Sequence, residues 1–498
     1  KIDSNKSRLV ALWDQNEVSP MAPELCTTPL GFGYGRQLDS AAMTDILNQA
    51  TVNGDVDEAL CDQLAGQPLQ TRATHGSHVL GLLAARHDTV HTDTVYPVSD
   101  SVAAKSPIAF VQLPRVFLET PSPKMMERCV YDGLRYLLTC AQRSQIKRVV
   151  AVVDYGTHLG PHDGSGWLER AIDAMIDHAR VDLQIRLDIF FPAGNAFKQK
   201  THARWEKLSQ GVSAIHWVVP PSGDTPSFFE LWLETPTNSV AFTLRNPSSD
   251  EVFACEMGSG AVSRTNTYAP THGSLPTAVM TLRNLGAQTQ LLVQISPTST
   301  VPHRASAPAG RWRMELATDA EVCTAIDLYA SAGGVNIGFA QRVASTRLVP
   351  VSGQASAYQI TGLGNLISTG CGNKTWLIGG HQAWAPYQLA PYACSGPVRG
   401  GKRSKAYPQN PPTKTPTPGV CGAGLTAVTE QGFSRPGVRH IGTRSGSYIR
   451  LIGTSMAAPQ AARAVVNHAT LPIISTGVSG PVRNGTNNRP DAYEWRID

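Results

Sequence analysis

Val149-Val150-Ala151-Val152-Val153 is an unbroken apolar run in which every residue but one is β-branched. A run without polar alternation is what a strand buried on both faces requires, and such strands belong to parallel sheets. The surrounding sequence has the matching period. Residues Gly166–Arg180 carry Leu168, Ile172, Met175, Ile176 and Ala179 on one helical face, and Leu187–Phe191 is a second strand. Upstream, Lys124–Arg143 carries Met125, Cys129, Leu134, Leu137 and Leu138 at helical spacing, after the short apolar run Pro107–Leu113. The order β-α-β-α-β predicts an α/β fold with a parallel sheet and right-handed crossovers. Ligands of such sheets sit beyond the carboxyl ends of the strands. Tyr155-Gly156 follows one such end, and Asn195 follows another.

Between about Ala203 and Ala344 the period changes. Phe229, Leu231 and Leu233 alternate with residues of exposed type, as do Val240, Phe242 and Leu244, and Trp312, Met314 and Leu316. Clusters of Pro, Gly, Ser and Asn separate these segments, so the region reads as an antiparallel β-sandwich. Residues 396–424, which include Pro411-Pro412-Thr413-Lys414-Thr415-Pro416-Thr417-Pro418, read as a long loop or excursion.

The chain has 498 residues, 41% of them hydrophobic and 16% charged, with a formal charge of +5. That length predicts more than one core, in a globular protein. The cations are scattered, which argues against a nucleic-acid partner. No apolar run is long enough to span a bilayer, so no membrane partner is expected. Nine cysteines without metal-like spacing give no disulfide framework and lean towards a reducing, cytoplasmic compartment. No Asp-rich calcium loop is evident, and neither a metal nor another cofactor is expected.

Two distant segments carry chemistry. Gly453-Thr454-Ser455-Met456-Ala457-Ala458-Pro459 sets a serine among small residues at the start of a helical stretch, Ser455–His468. A serine hydroxyl needs a base to become a nucleophile. His75, in His75-Gly76-Ser77-His78-Val79, can be that base, since imidazole takes and returns a proton near neutrality. An ester hydrolase of the α/β-hydrolase type would want G-x-S-x-G with its histidine last, but Ala457 stands at the second glycine and His75 comes first.

These segments resemble the subtilisin-like serine peptidases, the subtilases. The serine box G-T-S-M-A-x-P matches at every fixed position, and His75–Gly81 matches H-G-T-H-V-x-G with Ser77 in place of threonine. Phe191-Pro192-Ala193-Gly194-Asn195 resembles the box of the oxyanion asparagine, and the three occur in the family's order. The resemblance implies a subtilisin-like three-layer fold with a central parallel sheet. It implies a serine endopeptidase acting on protein or peptide substrates, with Ser455 as nucleophile, His75 as base, Asn195 as oxyanion donor and Tyr155-Gly156 as substrate-binding strand. His78 would be structural. Residues 1–202 and 345–470 would be two parts of the catalytic domain, 203–344 an inserted sandwich and 471–498 a C-terminal tail. The insert would bind a partner or restrict access to the cleft.

The family's acidic residue ends the first strand of the sheet. Asp14, in Leu9-Val10-Ala11-Leu12-Trp13-Asp14-Gln15, is the candidate within the chain. However, Arg8–Gln15, Gly33-Tyr34-Gly35-Arg36 and Gly160-Pro161-His162-Asp163-Gly164 resemble a bacterial group of subtilase-like proteins in which the aspartate box lies earlier. That implies an acidic strand upstream of Lys1 in a chain truncated at its N-terminus. The alternative reading is a catalytically inactive binding protein on the subtilase fold.

Overall fold

The computed structural model describes residues 7–16, 27–66, 74–85, 101–114, 123–234, 240–248, 252–255, 263–268, 277–299, 306–322, 324–332, 346–354, 357–382, 390–396, 398–399, 425–430, 437–444 and 446–467. The expected excursion, apart from its first residues, and the expected tail at 471–498 lie outside them. The chain is a mixed α/β structure with several sheets.

Strand β1 (Leu9–Asp14) pairs antiparallel with β2 (Arg36–Asp39) and parallel with β3 (Ile108–Gln112), forming a three-stranded sheet. This corrects the expectation of one β-α-β-α-β sheet. The ladder of β3 runs to β1, nearly a hundred residues upstream, whereas the apolar runs that follow β3 form a sheet of their own.

That second sheet is all parallel. β4 (Arg148–Val152) pairs with β5 (Arg186–Pro192), and two strands that return after the sandwich complete it as a four-stranded sheet. The period-2 rule sorts its side chains. Leu187, Ile189 and Phe191 pack with Met126, Leu134 and Leu138 of helix α2 (Pro123–Arg143) and with Leu168 and Ile172 of α3 (Trp167–Val181). Phe190 faces the other way, onto the alanines of a C-terminal helix. The predicted helices 124–143 and 166–180 therefore match α2 and α3 closely.

The largest sheets are antiparallel, with seven and five strands. They share one core that includes Trp205, Trp217, Phe229, Leu231, Phe242, Met314, Leu316 and Leu328. Strands β6 (Ser227–Leu233), β7 (Gln288–Ile295) and β8 (Ile326–Ala332) lie side by side in the seven-stranded sheet. The antiparallel sheets continue past residue 344, through Arg347–Pro350 and Gln359–Thr361. A further correction concerns exposure. Phe228, Glu230 and Trp232, which alternate with the core-facing residues of β6, are buried as well. Their face of the sheet packs on the rest of the chain.

The returning strands are β9 (Trp376–Gln382) and β10 (Leu425–Glu430), and the described chain ends in helix α4 (Thr454–Asn467). Ala457, Ala458, Ala461 and Ala462 of α4 are fully buried against Phe190, Trp376 and Ile378. Alanine at these positions lets the helix approach the sheet closely, and it also carries the best helix propensity.

Candidate active site

Helix α1 (His75–Ala84) brings His75 to the site. It buries His78, Val79 and Leu82, of which Val79 and Leu82 pack with Met456 of α4 and Val438 and His78 lies against the His440 ring. Gly81 is needed for that packing, because a Cβ there would lie 2.5 Å from His440 and from Ile441. Arg463 of α4 donates to the carbonyls of Leu82 (3.4 Å) and Ala85 (2.9 Å) at the end of α1. Those carbonyls carry the partial negative charge of a helix C-terminus, so a cation belongs there. The two helices that begin with His75 and Thr454-Ser455 are thus fixed to each other, although 380 positions separate His75 from Ser455.

Ser455 is half-buried in the first turn of α4. Its N–H is among those at a helix start that have no partner within the helix, and it lies at the positive end of the dipole. Pro459 lies one turn on. Proline has no N–H, so it cannot bond the Ser455 carbonyl, and the turn around the serine is not tied at that point. Gly453 precedes the helix at φ +137°, a backbone conformation open essentially to glycine.

Asn195 lies beyond the carboxyl end of β5 and is exposed. Its Oδ1 accepts from the Thr454 N–H (2.9 Å) and from Thr454 Oγ1 (3.1 Å). Thr454 Oγ1 in turn accepts from the Gly194 N–H at 3.1 Å. With its carbonyl oxygen bound in this way, the amide presents its N–H2 group on the side of Gly453, where a Cβ would come within 3.2 Å of Nδ2.

His75 Nδ1 stands 3.0 Å from Asp154 Oδ2. Asp154 lies just past the carboxyl end of β4, next to Tyr155-Gly156. The Ser455 hydroxyl reaches the same carboxylate. The contacts are close but off-line, since both carboxylate oxygens are buried and neither makes a well-aligned hydrogen bond. Burial raises the Asp154 carboxyl above its usual range, opposed by the His75 contact and then by Ser455. Burial would lower His75, but the contact with Asp154 outweighs it and the imidazole titrates above its ordinary value. His78 is different. It is buried, contacts the Ile441 carbonyl at 3.2 Å and is pushed down to about 4 by burial. It is therefore neutral near pH 7.

Asp14 is not His75's partner. Its Oδ2 pairs with Arg36 at 3.2 Å, and its Oδ1 accepts from the Asn16 N–H at 3.1 Å and the Asn16 side chain at 2.5 Å. It ends β1 in the three-stranded sheet, where Arg36 of the neighbouring strand claims the carboxylate. The acid beside His75 went unnamed in the sequence reading, although a signal was present. A carboxylate directly after a doubly buried parallel strand sits where ligands of such sheets bind.

Tyr155 is half-buried and its phenol is pushed up to about 12 by burial. At Gly156 a Cβ would lie 2.4 Å from Ile367 and 2.8 Å from Thr369, so only glycine lets the segment run this close. The turn beyond is bound to the sandwich. Glu230 of β6 accepts from the Gly160 N–H and from Gln290 of β7. Asp163 accepts from Gln288 (2.6 Å) and Arg399 (3.1 Å). The His162 ring stacks on Tyr329 of β8 with centroids 3.7 Å apart. His162 and His158 are both pushed down by burial, His158 to about 4.

Among the described residues, no group of three or more His, Cys, Asp or Glu side chains gathers as metal ligands, and no helix is long and apolar enough to cross a membrane. Among the described cysteines, Cys129 and Cys140 of α2 carry free thiols.

The sheets, their covering helices and a site at the strand ends define an α/β fold of a kind already known among solved structures. The structure of the Clostridium perfringens CspB protease superposes on the chain with a TM-score of 0.58 at 16% identity, covering 93% of this chain and 76% of that one. At that identity the likeness is one of fold. Searches of family models and of curated proteins give no match.

Proposed function

We propose that the chain is a subtilisin-like serine endopeptidase, with the parallel sheet as the centre of a three-layer catalytic domain and the antiparallel sandwich inserted into it. Ser455 attacks a peptide carbonyl of a protein or peptide substrate, and its proton passes to His75. The Asn195 amide and the Ser455 N–H bind the oxyanion. The proton then goes to the leaving amine, and water releases the acyl group by the same steps in reverse order. Tyr155-Gly156 pairs with the substrate backbone as an added strand.

The observation that carries this reading is the junction between Asn195 and the serine box. Thr454 binds the carbonyl oxygen of the Asn195 side chain, which leaves the amide donors on the side of Gly453, at the start of the serine box. An ordinary helix start would not need an asparagine from a different strand bound to its first residue. The likeness in fold to a protease adds support.

A fluorophosphonate probe, with its adduct mapped by mass spectrometry, tests the assignment together with Ser455→Ala. The expected result is labelling at Ser455 and hydrolysis of an unstructured protein, both abolished in the variant. Cleavage that persists in Ser455→Ala would overturn the assignment. A folded wild-type chain that is neither labelled nor active would favour the inactive binding protein.

A further inference from the structure

Resting on that reading, we propose that Asp154 is a catalytic residue of the site, the acid that pairs with His75 and meets the Ser455 hydroxyl in the resting protein. Three observations converge. The first is distance: His75 Nδ1 and Asp154 Oδ2 are 3.0 Å apart, and the Ser455 hydroxyl contacts the same carboxylate. The second is burial. Both Asp154 oxygens are shielded from solvent and lack an aligned hydrogen bond. A carboxylate in that state is costly unless a cation forms beside it, which is what His75 becomes when it takes a proton. Apo active sites commonly hold such contacts off-line until substrate tightens them. The third is that Asp14 is already bound to Arg36 and Asn16.

The chemistry balances. As the Ser455 Oγ–carbon bond forms, the carbonyl π pair moves to oxygen and the hydroxyl proton passes to the His75–Asp154 pair. The pair holds that proton as imidazolium beside carboxylate and returns it to the amine as the C–N bond breaks. Asp154 lies directly before Tyr155-Gly156, so a substrate strand bound there would close over it and exclude water.

The test uses the full chain and a readout that does not depend on turnover. Histidine-labelled protein is titrated by NMR, with His75→Ala to assign the signal. His78, the histidine coupled to His75, is distinguished by its low value of about 4. Wild-type His75 is expected to titrate above the ordinary imidazole value of about 6.5 and to fall below it in Asp154→Asn, while Asp14→Asn leaves it in place. Turnover on a peptide is expected to fall about 10⁴-fold in Asp154→Asn, the loss typical of a triad acid. If Asp154→Asn does not fold, Asp154→Ser serves in its place. A His75 titration that ignores the Asp154 variant, or that follows Asp14 instead, overturns the proposal whatever Ser455 does. A titration that follows Asp154 in a chain whose Ser455 takes no probe overturns the catalytic role together with the peptidase reading, and leaves only a buried ion pair.

Discussion

Among the described residues, Asn195 is held through its carbonyl oxygen. Its Oδ1 takes two hydrogen bonds from Thr454, while its amide group stands at the exposed end of β5. A donor fixed in that way loses no freedom when an oxyanion forms, which is why such groups act on the transition state more than on substrate binding. Asn195→Ala should therefore lower kcat about 10²–10³-fold with KM little changed. Steady-state kinetics on a short peptide separate the two, and a variant that raises KM alone would assign Asn195 to substrate binding. At this scale the sequence singled out Ser455, His75 and Asn195 because each sits in a box whose small neighbours have local reasons, such as Gly453 at φ +137° and Gly81 against His440. For Asp154 it offered a position, just past a doubly buried strand, and no box. One carboxylate after a strand looks like any other, and only a distance between α1 and the end of β4 distinguishes it.

Among the elements, the start of α4 governs the geometry. Thr454 binds Asn195, Ser455 reaches Asp154, and Gly453 makes the turn that lets both happen. Gly453→Ala would place a Cβ 3.2 Å from the Asn195 amide and force a side chain into a backbone region that costs about 1–3 kcal/mol. The expected result is a lower melting temperature together with slower fluorophosphonate labelling of Ser455. Melting and labelling rates both at the wild-type values would show that this turn does not set the site. Apolar period foretold α2, α3, β4 and β5, because in these elements burial is decided by neighbours along the chain. It also found β3 but not its hydrogen-bond partner β1, which is chosen by tertiary packing. It failed for Glu230, a polar residue in an alternating strand that pattern alone sends to solvent.

Across the whole molecule, the sandwich contacts the segment that follows the candidate site. Its core is self-contained, yet the outer face of β6, β7 and β8 meets the Thr157–Gly164 turn through Glu230, Gln288 and Tyr329. That turn follows Asp154 and Tyr155-Gly156 directly, so on the proposed reading these contacts let the sandwich align the strand end that carries Asp154. Glu230→Ala leaves the Gly160 N–H and the Gln290 amide without their carboxylate, a penalty of about 1–3 kcal/mol for each buried group left unpaired. Part of that penalty should appear as displacement of the turn, and with it of the strand end that carries Asp154. The expected outcome is a loss of kcat/KM that is equal for a short peptide and for a large unstructured protein, because the damage is to the machinery and not to the entrance. Comparing the two substrates under identical conditions reads this directly. A loss confined to the large protein would make the insert a gate, and unchanged rates on both would show that the junction stabilises the fold without aligning the site.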